Sequence, residues 1–239
     1  MNPETLKQRA AYYAVDTFVR DGMALGLGTG STVKYALERL SAHLRSGRLR
    51  HIVGVPTSEQ TADLSRHLGI PLVSLEETPL LDLYIDGADE IDPELNLIKG
   101  LGGALLREKI VACAARHMVV IADERKRVAR LGQRAPLPVE VLPFGWNLHA
   151  DWLAALGCTP LLRRRADGTP FVTDNGNYIY DCTFPGGISA PHELQAQLNT
   201  RPGVVEHGLF LGYAHVAVVA GGTGNVSLHR RETAPSSLP

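Results

Sequence analysis

The chain has 239 residues, with 24 Lys and Arg, 25 Asp and Glu, and a formal net charge of −1. Because these charges are balanced and interspersed, the sequence shows neither a nucleic-acid footprint nor a basic membrane surface. No apolar run is long enough to span a bilayer, and the three dispersed cysteines have neither disulfide nor zinc spacing. The amino terminus lacks the layout of a signal peptide, so we expect a cytoplasmic protein.

Helix and strand patterns alternate through the amino-terminal half of the chain. Apolar periodicity predicts a helix over 4–19, a strand over 23–27, a helix over 33–44, a strand over 51–55, a helix over 57–68, and strands over 71–73 and 80–85. Such alternation is typical of a parallel sheet with right-handed crossovers. The sequence therefore predicts an α/β fold with a Rossmann-like parallel-sheet main domain.

A turn rich in glycine and hydroxyl groups, at 28–32, joins the first strand to the second helix. Backbone N–H groups at a helix start, the helix dipole and two hydroxyls can hold a phosphate. The spacing departs from two nucleotide-binding motifs, because a dinucleotide fingerprint counted from Gly26 needs glycine where Ser31 stands, and a P-loop needs a Gly-Lys-Ser/Thr run. A plain strand-to-helix turn capped by Ser31 is the alternative.

Two acids stand directly after the strand predicted over 80–85. Asp86 and Asp89 belong to the run Asp-Gly-Ala-Asp-Glu. Open α/β sheets bind their ligands at this carboxyl end of the strands, so both side chains are candidates for substrate contact. Taken alone, the run is also compatible with an ordinary acidic turn.

A lysine and a glycine-rich turn precede the next helix. Lys99 comes directly before the turn at 100–103, which opens a helix predicted over 104–112. Bare N–H groups at such a turn can seat an anionic oxygen. On that helix the three- and four-residue spacing places Glu108 on a face with small apolar residues. A carboxylate in apolar surroundings can act as a proton-transfer base.

The chain changes character after Gly132. Patterns predict a strand over 137–142, a helix over 148–156, strands over 159–164 and 171–182, a helix over 191–198 and a strand over 204–210. This βαββαβ order is expected for a smaller ferredoxin-like α+β domain. Strands over 118–122 and 215–220 flank it, so the small domain is inserted near the C-terminus of the main one. The predicted domains are 1–131 with 211–239, and 132–210, and the tail from Ser227 is expected to be frayed.

These motifs, in this order, resemble those of ribose-5-phosphate isomerase type A. The resemblance extends from about Leu6 to about Gly221, and it rests on GLGTGST at 26–32, DGADEID at 86–92, KGLGGALLREKI at 99–110 and IADERKRV at 121–128. The chain departs from the family pattern at three positions. Leu101 stands where a third glycine is usual, Gly103 where alanine is usual, and Leu106 where threonine is usual.

The resemblance implies an aldose–ketose isomerase that interconverts D-ribose 5-phosphate and D-ribulose 5-phosphate in the non-oxidative pentose phosphate pathway. It implies metal-free proton transfer through an enediolate, no cofactor, and a homodimer or homotetramer whose partner is a small-molecule sugar phosphate. The catalytic residues that it implies are Glu108, Asp86, Asp89 and Lys99. The implied substrate-binding residues are Lys7, Thr29, Gly30, Ser31, Thr32, Asp86, Gly87, Ala88, Asp89, Lys99, Gly100, Leu101, Gly102 and Lys126.

Two functions from other classes remain alternatives. A sugar-phosphate sensor of the same fold would bind without turnover, but it usually carries a DNA-reading domain, and the residues before the first strand form a single helix with no room for a helix-turn-helix. A nucleotide-dependent enzyme would use the 26–32 motif for a cofactor phosphate. The departure from the fingerprint, and the lack of an acidic residue ending the strand over 51–55, weigh against that enzyme.

Overall fold

The computed structural model describes residues 1–232. Its α-helices are α1 (Pro3–Phe18), α2 (Ser31–Arg45), α3 (Glu59–His67), α4 (Leu105–Ala114), α5 (His149–Ala155) and α6 (Pro191–Thr200). Its strands are β1 (Ala24–Leu27), β2 (Val53–Pro56), β3 (Leu83–Asp86), β4 (Glu90–Ile91), β5 (Leu97–Ile98), β6 (Met118–Asp123), β7 (Leu137–Val141), β8 (Thr159–Leu162), β9 (Tyr178–Thr183), β10 (Val204–His207), β11 (Leu209–Phe210), β12 (Val216–Ala220) and β13 (Val226–Arg230). None of the helices in the described part of the chain combines the length and apolar character needed to cross a bilayer.

Among the described residues, the first compact unit contains 1–88, 107–126 and 212–232. Its six-stranded sheet has the order β13-β12-β6-β3-β1-β2. The five strands from β12 to β2 run parallel, and β13 pairs antiparallel to β12 at the edge. Every residue of β6 is buried, as expected for a parallel strand covered on both faces. The parallel strands bring their carboxyl ends to one edge, where β3 ends at Asp86.

The second compact unit contains residues 89–106 and 127–211. Its four-stranded antiparallel sheet has the order β10-β7-β9-β8, and α5 and α6 connect its strands in the βαββαβ order of a ferredoxin-like fold. A separate three-stranded sheet has the order β11-β5-β4. The mostly parallel sheet of one unit and the antiparallel sheet of the other confirm the predicted fold class.

Two predicted strands are wrong in their extent. The segment 71–73 forms only an isolated bridge between Leu72 and Gly54. The strand predicted over 171–182 begins at Tyr178, because the residues before it close a turn in which the Asn177 carbonyl accepts from the Thr173 N–H. An Asp-Asn-Gly run of this kind favours a turn over continuous pairing.

The strand predicted over 204–210 is divided in the structure. β10 pairs with β7, whereas β11 pairs with β5 in the other sheet. Gly208 lies between them, and its N–H donates to the Pro138 carbonyl while its carbonyl accepts from the Lys99 N–H. A Cβ at Gly208 would overlap the Lys99 carbonyl oxygen. The two backbone segments can therefore approach this closely only with glycine at position 208.

Two further differences concern short elements. β4 and β5 were not predicted, because strands of two residues are too short to show an apolar period. The prediction that the tail is frayed from Ser227 is wrong up to Arg231, because β13 pairs with β12 and the Arg231 N–H donates to the His215 carbonyl. For 233–239 the prediction lies outside the described residues. Residues 89–106 group with the second compact unit, while the predicted domain boundaries stay a prediction.

Candidate active site

Asp86 ends β3, and its carboxylate is fully buried. Its Oδ1 accepts from the N–H of Thr29 at 3.1 Å and from the N–H of Gly87 at 2.7 Å. The hydroxyl of Tyr84 donates to the other oxygen, Oδ2. A Cβ at Gly28 would overlap the Asp86 carboxyl group, so glycine at that position lets the turn after β1 approach the carboxylate. Donors from two strand ends therefore fix the position of Asp86.

Tyr84 faces two carboxylates in the interior of the first unit. Burial raises the pKa of Tyr84 well above its ordinary value, and the negative charges of Asp86 and Glu108 raise it further. The phenol therefore stays protonated and acts as a hydrogen-bond donor near neutral pH. Glu108 lies on α4 with only 4% of its surface exposed, which agrees with the apolar face predicted for it.

The hydroxyl of Thr29 belongs to a cluster of hydroxyl groups at the ends of β1 and β2. Its Oγ1 lies 2.8 Å from Oγ1 of Thr57, 2.8 Å from Oγ of Ser58 and 3.2 Å from Oγ1 of Thr61. Thr29 therefore anchors the turn with its side chain and holds Asp86 with its backbone. Thr57, Ser58 and Thr61 were not predicted from the sequence, although the run Pro-Thr-Ser-Glu-Gln-Thr at the end of β2 is a second hydroxyl-rich strand end.

The start of α2 differs from the alternative of a serine cap. Gly30 is the N-cap, with φ of 120°, and no side chain caps the helix. Ser31 is the first helical residue and is exposed, while Thr32 is half-buried behind it. The first turn of α2 therefore presents backbone amides and a hydroxyl, a combination suited to an anionic oxygen.

Two lysines predicted to bind substrate also lie in the first unit. Nζ of Lys7 is 2.7 Å from Oε1 of Glu4, whose other oxygen accepts from the hydroxyl of Tyr35 at 2.8 Å. Lys126 ends a short 3₁₀ helix directly after β6 and is half-buried. Both side chains carry positive charge, and Lys126 follows the carboxyl end of a parallel strand, where such folds bind ligands.

In the second unit, Asp89 and Lys99 are held by main-chain contacts. The Asp89 N–H donates to the Ile98 carbonyl at 2.8 Å, and the Asp89 carboxylate accepts from the N–H of Leu101 at 2.9 Å. Lys99 is 2% exposed, and its ammonium lies 5.5 Å from the centre of the Phe210 ring. The amine of Lys99 is thus buried beside an aromatic ring, and this contact favours the protonated form of the side chain.

The glycine-rich turn explains two of the departures from the family pattern. Gly100 and Gly103 have φ of 104° and 84°, and the Gly103 N–H closes the turn on the Gly100 carbonyl at 3.0 Å. A Cβ at Gly103 would lie 2.6 Å from the ring of Phe171, which accounts for glycine instead of alanine. Leu101 has no positive φ and is 41% exposed, so its side chain is accommodated without backbone strain.

Glu90, the last acid of the Asp-Gly-Ala-Asp-Glu run, has a structural role. Its buried carboxylate accepts from the backbone N–H groups of Gly132, Arg134 and Ala135 at 2.5, 2.6 and 2.8 Å. These contacts hold the loop before β7 within the second unit. All three acids of the run accept hydrogen bonds from backbone N–H groups. Glu90 differs from Asp86 and Asp89 because its contacts hold the loop before β7, and not the end of β3 or the glycine-rich turn.

The predicted site residues thus divide between the two units. The first unit contains the main-chain and hydroxyl donors of 29–32, the Asp86-Gly87-Ala88 turn, Glu108, Lys7 and Lys126. The second contains Asp89 and the segment 99–102. Within residues 1–232, no group of three or more His, Cys, Asp or Glu side chains is arranged as metal ligands.

Comparison with known proteins gives one consistent result. The profile of the ribose 5-phosphate isomerase A (phosphoriboisomerase A) family matches residues 53–224. The chain is 58% identical over 228 residues to ribose-5-phosphate isomerase A of Roseiflexus castenholzii, covering 95% of this chain and 97% of that protein. It is 47% identical over 229 residues to a probable ribose-5-phosphate isomerase 2 of Arabidopsis thaliana, covering 94% and 86%.

Solved structures agree with these sequence matches. A D-ribose-5-phosphate isomerase in complex with phospho-erythronic acid superposes with a TM-score of 0.93 and 42% identity, covering 97% of this chain and 100% of that one. The ribose 5-phosphate isomerase of Plasmodium falciparum superposes with a TM-score of 0.93 and 43% identity, covering 96% and 99%.

Proposed function

The chain belongs to the ribose 5-phosphate isomerase A family and is therefore an aldose–ketose isomerase that interconverts D-ribose 5-phosphate and D-ribulose 5-phosphate; we propose here which of its residues carry the reaction. The difficult step is the removal of a proton beside a carbonyl and its return to the neighbouring carbon. This step needs a base, donors that hold the enediolate oxygens, and a group that carries protons to and from those oxygens.

Glu108 is the base that moves the proton between C2 and C1. Its carboxylate is buried on α4, and it acts electrostatically on Tyr84 together with Asp86. The observation that carries this assignment is the pair of buried carboxylates beside one protonated phenol. Burial of ionisable groups costs free energy, and such groups are found mostly at functional sites. Triosephosphate isomerase meets a comparable demand with a glutamate base.

Lys99 and the turn at 100–102 stabilise the negative charge that develops on the enediolate oxygen, with the Leu101 N–H committed to the Asp89 carboxylate. The burial of the Lys99 ammonium supports this role, since a charge in low-dielectric surroundings acts more strongly than one in water. The turn follows Lys99 directly in the sequence and contributes backbone N–H groups. Its glycines have no side chains that would keep a substrate away from the backbone.

Asp86 and Asp89 bind the sugar hydroxyls and assist ring opening, with Asp86 as the acid/base of the two. The three donors on Asp86 hold it in one orientation, which supports a role in proton transfer to a positioned hydroxyl. Asp89 accepts from the Leu101 N–H, so its carboxylate is oriented by the same turn that holds the oxyanion.

The phosphate group is held by the start of α2 together with Lys126 and Lys7. The exposed hydroxyl of Ser31, the hydroxyl of Thr32 and the first amides of α2 support this assignment. Binding energy from the phosphate, remote from the reacting carbons, then positions C1 and C2 for proton transfer.

The reaction needs no metal ion and no cofactor, and the chain acts as a homodimer or homotetramer in the cytoplasm, within the non-oxidative pentose phosphate pathway. Family membership supports these statements. In the sequence, the balanced charge and the dispersed cysteines agree with a reducing compartment and with a small-molecule sugar phosphate as partner.

The test is an assay of ribulose 5-phosphate formation from ribose 5-phosphate with EDTA present, run on wild type and on Glu108→Gln. We expect wild-type activity to survive the chelator, and Glu108→Gln to turn over about a hundredfold or more slowly while ribose 5-phosphate still raises its Tm. Glu124→Gln, an exposed carboxylate of the same unit, is the matched control and should keep wild-type turnover. Loss of activity on chelation would exclude the metal-free reaction, and wild-type turnover in Glu108→Gln would remove Glu108 from the mechanism.

A further inference from the structure

Arg163, the residue that follows β8, contacts the glycine-rich turn. One nitrogen of its guanidinium, Nη1, donates to the carbonyl oxygens of Gly100 and Leu101, each at 3.1 Å. These two carbonyls belong to consecutive peptide groups of the turn proposed above to hold the oxyanion. A single guanidinium nitrogen therefore fixes the orientation of both peptide planes.

The geometry of the peptide group gives this contact a consequence for the amides. In a planar trans peptide the C=O and the N–H point in opposite directions. The peptide between Gly100 and Leu101 is held at both ends, by Arg163 on its oxygen and by Asp89 on its N–H. The next peptide is held by Arg163 on the Leu101 oxygen, so the Gly102 N–H points away from the guanidinium. Within residues 1–232 that N–H has no hydrogen-bond acceptor.

Arg163 is itself held rigidly. Its Nε and Nη2 donate to the two carboxylate oxygens of Asp181 at 2.9 and 2.5 Å, a paired arrangement that suits the planar guanidinium. Its Cζ lies 5.6 Å from the centre of the Phe171 ring, which also covers Gly103. Because the guanidinium uses one edge for Asp181 and its remaining nitrogen for the turn, lysine cannot make both contacts.

We propose that Arg163 is a positioning residue for the isomerase reaction, which orients the Gly102 N–H toward the developing enediolate oxygen by holding the carbonyls of Gly100 and Leu101. This inference rests on the proposed role of the turn at 100–102 in stabilising the enediolate oxygen. Arg163 does not contact substrate and acts through the turn. Its effect is therefore confined to the state in which negative charge has developed, since the ground-state sugar places little charge on that oxygen.

The experiment compares Arg163→Met and Arg163→Lys with wild type, and uses Arg164→Met as the matched control. Arg164 is the neighbouring arginine, and its Nη1 donates to the Gly168 carbonyl, away from the turn. For Arg163→Met we expect kcat to fall by roughly tenfold to a hundredfold, with KM for ribose 5-phosphate within about threefold of wild type. Arg163→Lys should recover part of this kcat, because an ammonium can donate to one carbonyl.

A second readout separates positioning from general damage to the fold. Phospho-erythronic acid, the compound bound in a related structure, has a carboxylate whose two oxygens share one negative charge, and these oxygens resemble those of the enediolate. We expect Arg163→Met to weaken its inhibition by about the same factor as kcat, while Arg164→Met changes neither. If Arg163→Met lowers Tm too far to assay, Asp181→Asn is used instead. This variant keeps the guanidinium and removes its anchor, and it should lower kcat and weaken inhibition in the same direction.

The measurements on Arg163→Met and on Glu108→Gln separate failure of this inference from failure of the proposed function. Wild-type kcat and inhibition in Arg163→Met, with Glu108→Gln inactive, would overturn the inference and leave the proposed base in place. Equal changes in kcat and KM for Arg163→Met, with inhibition by phospho-erythronic acid unchanged, would reduce Arg163 to a structural residue. Wild-type protein without isomerase activity would overturn both.

Discussion

The hydroxyl of Tyr84 donates a hydrogen bond to Oδ2 of Asp86, two residues further along the same strand. Residues two apart on a strand point to the same face, so β3 presents the phenol and the carboxylate side by side. The pKa of Tyr84 is raised by burial and by the charges of Asp86 and Glu108, which keeps the phenol protonated. The Asp86 carboxylate, which we propose to bind the sugar hydroxyls, is thus oriented by the Tyr84 hydroxyl, which stays protonated near neutral pH.

Tyr84→Phe removes this donor while preserving the ring in the core. We expect kcat/KM for ribose 5-phosphate to fall by about tenfold to a hundredfold, because a hydrogen bond to a charged group contributes about 1.5–3 kcal/mol. Steady-state kinetics measure the effect. Tyr180→Phe, which removes a hydroxyl bonded to the Trp146 carbonyl in the second unit, should keep wild-type kinetics. Equal kinetics for the two variants would show that Tyr84 does not support Asp86.

Gly28→Ala tests the close approach of the turn after β1 to Asp86. A Cβ at Gly28 would overlap the Asp86 carboxyl, whereas a Cβ at Gly87 would lie 3.9 Å from the Ile121 carbonyl oxygen. We expect Gly28→Ala to lower the free energy of unfolding by about 1–3 kcal/mol, and Gly87→Ala to change it by less than about 0.5 kcal/mol. Denaturant unfolding monitors both. A Gly28→Ala protein as stable as Gly87→Ala would show that the turn shifts without cost.

Glu90→Gln and Asp89→Asn separate the neighbouring acids of the motif. Because three backbone N–H groups converge on the Glu90 carboxylate, Glu90→Gln should lower the free energy of unfolding by about 1–3 kcal/mol. Its kinetic constants should stay within roughly twofold of wild type. Asp89→Asn should show the reverse, reduced kcat/KM with little loss of stability. Unfolding and kinetic measurements on both proteins check the pair, and a catalytic defect in Glu90→Gln at full stability would contradict it.

His215 makes stability depend on pH. Burial lowers the pKa of His215 below its ordinary value of 6.5, and the nearby charge of His117 lowers it further. A backbone hydrogen bond with Tyr213 partly opposes them, and the charge of Arg231 adds a smaller lowering. The unfolded chain then binds more protons than the folded one in mild acid. The stability present at neutral pH is therefore lost as the pH falls below 6.5 toward the folded-state value.

His215→Asn tests this dependence, because its amide oxygen can replace Nδ1, which accepts from the Met118 N–H at 3.1 Å. Urea unfolding at about pH 7.5 and about pH 5.5 should show a smaller loss of stability for the variant than for wild type. The depressed pKa of buried His149 acts in the same direction in both proteins. Parallel losses in wild type and variant would assign the effect to other groups.

The sequence alone determined the fold class and the family. Alternating helix and strand patterns predicted the parallel sheet, and the βαββαβ order predicted the antiparallel one, because apolar periodicity is a local property of the chain. The motifs around Asp86, Lys99 and Glu108 have the order and spacing of the family motifs. The resemblance could therefore be recognised from the sequence alone. The sequence equally placed Glu108 on an apolar helix face, where the structure buries it.

Only the tertiary structure decided which side chains support those residues. In the sequence Tyr84 is one residue of an apolar strand, and Arg163 is one of three consecutive arginines. Neither pattern predicts which group the side chain hydrogen-bonds to. Their contacts join residues far apart in the chain or depend on which face of a strand is buried, and Gly208 divides one predicted strand between two sheets. Local propensity specifies where helices and strands form, whereas hydrogen-bond partners are set by long-range packing, which a single sequence does not reveal.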